Sequence, residues 1–222
     1  MPTTRSAALL GASGLIGGFC LKALLADVSY TGITVMGRRQ LDVPPNPRLT
    51  QKIADLGQLV AKDFVGIDDV FCALGTTRRQ AGSKEAFRRV DLEFPVAAAR
   101  AAQLAGARQF VLVSSVGAES RSGNFYLRTK GEVEERVKQA GFNSVHIFRP
   151  SLLLGKRSEF RMGERVMAVL SPVLNLPMVG PLRKYKAIAA ESVGKAMVAA
   201  ARKAETGTLV YYYDEIMSLA SS

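Results

Sequence analysis

The chain has 222 residues, 48% hydrophobic and 22% charged, enough for one well-buried domain and short for two. Its 30 Lys and Arg against 19 Asp and Glu leave a net charge of +11. That balance favours anionic partners (nucleic acid, a membrane surface, a phosphate-bearing small molecule), or it is simply that of a basic soluble surface, since no block of five or six basic residues occurs. Cys20, Cys72 and the single His146 cannot together build a metal site, and the cysteines read as small buried hydrophobes in a reducing compartment, taken as the cytoplasm.

The amino-terminal MPTTRSAALLGASG lacks the charged n-region and long apolar h-region of a secretion signal. AALL (7–10) is a first strand, and LIGGFCLKALLA (15–26) a helix with Ile16, Phe19, Cys20, Ala23 and Leu24 on one stripe. GITVMG (32–37) is a second strand; a Pro-rich loop (41–46) and a weak third strand (49–53) follow. DDVFCALG (68–75) is a fourth strand, its near-continuous apolar run suited to a strand covered on both faces. A long helix is expected over 84–104, with Pro95 marking a kink or a break. RQFVLVSSVG (108–117) is a fifth strand, YLRTKGEVEERVKQAG (126–141) a helix ending at Gly141, and NSVHIFRPS (143–151) a sixth strand halted by Pro150. The stretch from Val166 to Leu182 contains Pro172, Asn175, Pro177 and Pro181, which break a continuous helix and argue against a membrane span. A helix over 191–204 and a strand GTLVYYY (207–213) complete the chain, the tyrosines Tyr211–Tyr213 alternating between core and surface.

Repeated strand–helix alternation implies parallel strands joined by right-handed crossovers: an α/β, doubly wound parallel sheet of the Rossmann type. The expected organisation is one domain over 1–222, with substrate-pocket elements mainly in 151–190. Ligands of such sheets lie beyond the carboxyl ends of the strands, so functional residues should follow the apolar runs.

LLGASGLIGG follows the first strand and opens the first helix, with Gly11, Gly14 and Gly17 spaced as G-x-x-G-x-x-G. Small residues admit a pyrophosphate to the backbone, and the helix start offers it unpaired N–H groups, so Ser13, Leu15 and Ile16 join the cofactor candidates. The second strand ends at Arg38 and Arg39, where NAD-binding sheets usually place an acid for the ribose hydroxyls; guanidinium groups suit a 2′-phosphate instead and favour NADP(H). They are otherwise two solvated surface arginines. Asp55 faces the adenine or serves an ordinary turn. Leu74, Gly75 and Thr76 end the fourth strand, where Gly75 permits the close approach of a ring or ribose. Arg78 and Arg79 then begin a polar loop able to close over a ligand. The fifth strand ends at Ser114 and Ser115, and Tyr126 and Lys130 share one face of the next helix. A phenol is a poor proton donor or acceptor at neutral pH, and a nearby ammonium favours its phenolate. A serine hydroxyl can hold a substrate carbonyl oxygen.

The segments GASGLIG, GRR, LGTTRRQAG, RVD, SSVGA, YLRTKGEVE and FRPSLLLG, spanning residues 11–155, resemble the short-chain dehydrogenase/reductase superfamily. Their details are similar to its atypical branch, near the Tat-interacting-protein (oxidoreductase-like) and nucleoside-diphosphate-sugar-epimerase-like proteins. The resemblance implies an NADP-binding Rossmann domain in which Ser115 polarises a carbonyl, Tyr126 is the acid/base and Lys130 assists and holds the cofactor ribose. It also implies that Pro150, Ser151 and Leu152 pass near the nicotinamide. CALGTT departs from the Asn-Ala-Gly of many members, and the substrate region is short for a sugar-nucleotide epimerase.

The expected function is an NADP(H)-dependent oxidoreductase acting on a carbonyl/alcohol pair of a small molecule; the alternative is an NADP(H)-binding sensor with little catalysis. Lys156, Arg157, Arg161, Arg165, Arg183, Lys184 and Lys186 suit an acidic substrate, a peripheral anionic-membrane contact or a solvated face. No nucleic-acid recognition motif appears, the chain is expected as a monomer or homodimer, and His146 reads as a hydrogen-bonded structural histidine.

Overall fold

The computed structural model describes residues 4–155 and 179–222. Strands β1 (Arg5–Leu10), β2 (Tyr30–Gly37), β3 (Leu49–Ile53), β4 (Asp69–Cys72), β5 (Gln109–Val113) and β6 (Ser144–Phe148) belong to one sheet. The short β7 (Leu153–Leu154) and β8 (Ile188–Ala189) pair with each other, and β9 (Gly207–Tyr211) completes the main sheet. Its order is β3-β2-β1-β4-β5-β6-β9, and every neighbouring pair is parallel. The direction of winding reverses between β1 and β4, the crevice where ligands of such sheets bind.

Side-chain alternation fixes the two layers. Ala7, Leu9, Ile33, Val35, Phe71, Val111 and Phe148 point to one face, where they pack under α1 (Leu15–Ala26), α6 (Ala190–Lys203) and α7 (Tyr213–Ala220). Ala8, Leu10, Met36, Val70, Cys72, Phe110, Leu112 and Ile147 point to the other, against α4 (Phe94–Leu104) and α5 (Phe125–Lys138). Each fully buried Leu, Ile or Phe contributes about 1.5–3 kcal/mol, so both faces must stay covered. Both cysteines are buried and free, as expected of small hydrophobes, and burial pushes the Cys72 thiol up to about 11.

The long helix expected over 84–104 is three pieces: α3 (Lys84–Arg88), a π-helical turn (Arg89–Glu93) and α4, with Pro95 in its first turn. Pro95 lacks an N–H, and a helix start is where none is needed. The polar loop after β4 contains a short helix, α2 (Arg78–Ala81), capped by the Thr77 hydroxyl, which accepts from Gln80 N at 3.1 Å. The last strand stops at Tyr211 rather than Tyr213. Tyr212 N donates to Glu215 Oε2 at 3.0 Å and opens α7, so Tyr211–Tyr213 do not alternate along a strand.

A row of buried polar groups crosses the sheet beneath the end of α6. Tyr30 Oη donates to Asp69 Oδ2 at 2.7 Å, and Arg5 Nε lies 3.3 Å from the same oxygen. Arg5 Nη1 and Gln109 Nε2 both donate to the Ala201 carbonyl, at 2.7 and 3.1 Å. His146 Nε2 stands 3.0 Å from Gln109 Oε1, and its Nδ1 2.9 Å from Tyr211 Oη. Burial holds the Asp69 carboxyl up at about 6, against the pull of Arg5 and Tyr30. Burial, then the Arg5 charge, holds His146 down at about 4. His146 is the hydrogen-bonded histidine its sequence context suggests.

Candidate functional site

The turn between β1 and α1 is built on backbone contact. Gly11 has φ +86°, and a Cβ there would lie 2.5 Å from the Ala73 carbonyl oxygen at the end of β4. A Cβ on Gly17 would lie 2.1 Å from the Gly11 oxygen. Neither position admits a side chain, so the turn sits flush against the β4 end at the switch point. Gly14 N donates to Gly11 O at 2.8 Å and closes the turn. Among the described residues no side chain caps α1 and no acid stands in its first turn, which leaves its leading N–H groups, near Leu15, Ile16 and Gly17, as donors for an anion. Ser13, at the turn's crest, is exposed. This cradle fits a dinucleotide diphosphate.

The β4 end joins the cradle to the π-helical turn and α5. Leu74, Gly75 and Thr76 continue from Ala73, and a Cβ on Gly75 would lie 3.6 Å from Asp91 Oδ1 and 3.9 Å from Lys130 Nζ. Lys130 is buried, 2.9 Å from Asp91 Oδ1, though without the angle of a hydrogen bond. Asp91 Oδ2 accepts from Thr76 N at 2.9 Å. Burial works against the Lys130 ammonium, but the charge of Asp91, with help from Tyr126, outweighs it and raises its pKa. Asp91 stands in the π-helical turn, and its carboxylate reaches the segment after β4. Sequence reasoning met it only inside the RVD segment and gave it no role, because its contact with a lysine 39 positions later is tertiary.

Tyr126 is part-buried on α5, one turn before Lys130. Its ring lies 5.9 Å from that of Phe87. Asn124 caps the helix, its Oδ1 accepting from Tyr126 N at 2.9 Å and Leu127 N at 3.2 Å, so the cap grips the backbone of the tyrosine itself. Ser115 is buried after β5, and its hydroxyl donates to the Val116 carbonyl at a long 3.3 Å.

Ser114 does something else. Its hydroxyl donates to Glu134 Oε1 at 2.5 Å, and Glu134 takes two bonds from Arg149, at 2.9 Å from Nε and 2.5 Å from Nη2. Arg149 Nη1 donates to Tyr212 Oη at 2.8 Å. This network, also unseen in the sequence, ties the ends of β5 and β6 to α5 and α7. Pro150 and Ser151 are buried after β6. Pro150 O accepts from Val116 N at 3.0 Å, and the Ser151 hydroxyl donates to the Lys186 carbonyl. Leu152 O accepts from Ile188 N at 2.9 Å.

Arg38 and Arg39 stand exposed after β2, with no hydrogen bond or ion pair to any described residue. Asp55 is exposed after β3, its Oδ1 accepting from Gly57 N at 3.0 Å. That is the turn role allowed for it. A separate open groove of about 500 Å³, lined by Gln40, Leu41, Pro44, Pro45 and Gln51, follows the arginines in the chain and includes none of the Ser–Tyr–Lys set. Lys156, Arg157, Arg161, Arg165 and most of the Val166–Leu182 stretch lie outside the described residues. Arg183 is paired with Asp214 at 2.6 Å. Among the described residues no helix is long and apolar enough to cross a membrane.

The family model for NAD(P)H-binding proteins matches residues 11–204. Protein HTATIP2 of Rattus norvegicus is 40% identical over 164 residues, 72% of this chain and 67% of its own length. The mitochondrial protein fmp52 of Emericella nidulans is 34% identical over 207 residues, 90% of this chain and 88% of its own. Among solved structures, MoeE5 in complex with UDP-glucose and NAD superposes with a TM-score of 0.68 at 18% identity, over 97% of this chain and 81% of its own. A putative NAD-dependent epimerase/dehydratase from Bacillus halodurans does so with 0.69 at 19% identity, over 98% and 99%. These likenesses confirm the Rossmann-type sheet. The cytoplasmic expectation is overturned, because the fungal relatives are named mitochondrial. Two small buried thiols serve as core hydrophobes in any compartment and do not identify one.

Proposed function

We propose, from the premise that the chain belongs to the NAD(P)H-binding, HTATIP2-like family of atypical short-chain dehydrogenase/reductases, that it is an NADP(H)-dependent oxidoreductase acting on a carbonyl/alcohol pair. One observation carries the reading. The glycine cradle and the Lys130 ammonium abut the same three-residue stretch, Ala73–Gly75. A diphosphate held at Gly11, Gly14 and Gly17 and a proton-transfer group at Tyr126 then belong to one crevice. Arg38 and Arg39, without a partner among the described residues, supply donors for a 2′-phosphate at the strand end where NAD-binding sheets usually place an acid.

A bound nicotinamide supplies or accepts the hydride. Tyr126 gives a proton to the substrate oxygen in reduction and takes one from the alcohol in oxidation. The Ser115 hydroxyl exchanges its long bond to Val116 O for that oxygen and steadies its developing charge. Lys130, held protonated and fixed by Asp91, presents N–H donors to the cofactor ribose. Gly75 leaves room beside it.

Fluorescence titration with NADPH and NADH, followed by a carbonyl panel read at the nicotinamide absorbance, tests the reading. NADPH should bind at least tenfold tighter than NADH, and Arg38→Gln/Arg39→Gln should erase that difference. Tyr126→Phe should bind NADPH normally and lose at least about a hundredfold in turnover, the usual contribution of a positioned proton donor. Normal turnover by that variant on a verified substrate rejects the role.

The Asp91 contact favours a second reading, in which Lys130 is chiefly structural and the protein senses NADP(H). That reading expects cofactor-dependent partner binding that survives Tyr126→Phe.

A further inference from the structure

We propose that Arg78, Lys84 and Arg128 form a receptor for an anionic group, a carboxylate or a phosphate ester, on the substrate; that this group belongs to the substrate of the Tyr126 site rests on the oxidoreductase reading. Three cations from three separate segments converge on one ring. Arg78 Cζ, Lys84 Nζ and Arg128 Cζ lie 5.8, 5.7 and 5.9 Å from the centroid of Phe125. Phe125 immediately precedes Tyr126, and Phe87 touches both rings, at 5.6 and 5.9 Å. The charge is therefore gathered beside the proposed proton donor.

Cation–π attraction does not account for the gathering. A ring has two faces, and each such contact at an exposed site contributes only about 0.5–1 kcal/mol, while three like charges around it repel one another. Several other surface cations pair with acids, Lys52 with Asp63, Arg108 with Asp68, Arg183 with Asp214 and Lys195 with Glu191; Arg78, Lys84 and Arg128 pair with none among the described residues. Here the nearby acids are committed. Glu132 pairs with Arg88 at 2.7 Å. Glu85, next to Lys84, is held below the usual carboxylate range first by its own backbone N–H and then by the Ser83 hydroxyl. Arg128 Nη1 donates to the carbonyls of Ser122 and Gly123, at 2.7 and 3.3 Å. Those bonds steady the guanidinium and leave Nε and Nη2 without a partner among the described residues. A steadied guanidinium with free donors, flanked by two further cations, matches a carboxylate or phosphate.

The test uses two matched pairs of aldehydes: 4-carboxybenzaldehyde with its methyl ester, and glyceraldehyde 3-phosphate with glyceraldehyde. Calorimetry on the NADPH-loaded protein reads binding, and nicotinamide absorbance reads turnover. At least one charged member should bind ten times more tightly than its neutral mate, and which pair separates more identifies carboxylate or phosphate. Arg78→Gln/Lys84→Gln, which leaves the Arg128 carbonyl bonds in place, should remove most of that preference without changing NADPH affinity, and so should Arg128→Gln. No heat with either charged probe, equal affinity within each pair, or a preference that survives all three substitutions overturns the inference. A charge preference with no NADPH oxidation by any probe sinks the oxidoreductase reading and leaves the receptor standing. Equal binding together with equal oxidation of charged and neutral members does the reverse.

Discussion

Lys130 and Asp91 are buried together, 2.9 Å apart, and neither charge is tolerable there without the other. Removing one partner of a buried pair costs about 3–5 kcal/mol, because the survivor is stranded in a poor solvent, whereas replacing both with apolar groups is often nearly neutral. Asp91→Ala should therefore lower the urea-unfolding free energy by roughly that amount, and Asp91→Ala/Lys130→Met should recover most of it. A double variant as unstable as the single one would show that the loss comes from the Thr76 N–H contact instead. Tyr126 and Lys130 were legible from spacing because a helix brings i and i+4 onto one face. Asp91 was not, because the contact that defines its role is tertiary. The same holds for Glu134, which looks like one more surface acid of α5 until Ser114 and Arg149 close on it.

Helix α5 carries both proposed reactive side chains, and its first turn depends on Asn124. Asn124→Ala should cost about 1 kcal/mol and lower Tm by about 2–4 °C for a chain of this size, with a larger fall in turnover than in NADPH affinity, since the cap holds Tyr126 N directly. A scanning calorimeter and the absorbance assay check the two parts. Most elements could be read from pattern: α1 spans the expected 15–26, β3 the expected 49–53, and the long helix breaks just before Pro95. The pieces that escaped are those whose signal is short or shared. α2 has four residues, too few for a helical period. The π-helical turn differs from an α-helix only by one slipped hydrogen bond. In α7, Asp214, Glu215, Ile216 and Leu219 do form a helix-start pattern, but the β-prone tyrosines before it extended the strand reading through its cap.

Across the whole molecule, Asp69 and His146 sit in one polar row and oppose each other. The folded-state value of Asp69 is raised to about 6. The native state thus holds a proton that the unfolded chain has released, and stability falls as pH rises from about 4 to about 6. The value of His146 is lowered to about 4. There the unfolded chain holds the extra proton, and stability rises from about pH 4 to about 6.5. Each effect is on the order of 3 kcal/mol, so the two largely cancel in the intact protein. His146→Gln removes only the second. In denaturant unfolding, the stability of that variant should fall relative to the parent's as pH rises from about 4 to about 6; parallel profiles for the two proteins would show that His146 is not held neutral by the fold in this window.

The strand order also sets a timetable for biosynthesis. After β4 docks beside β1, each later strand of the main sheet joins the outer rim of the one before it, so a nascent chain can assemble outward as it leaves the ribosome. Until Gly207–Tyr211 emerges, β6 is that rim, and all five of its residues, Ser144–Phe148, are ones the finished protein hides. A product of premature termination before position 207 would carry an open, oily ribbon and should sediment as aggregate rather than circulate as a smaller soluble form.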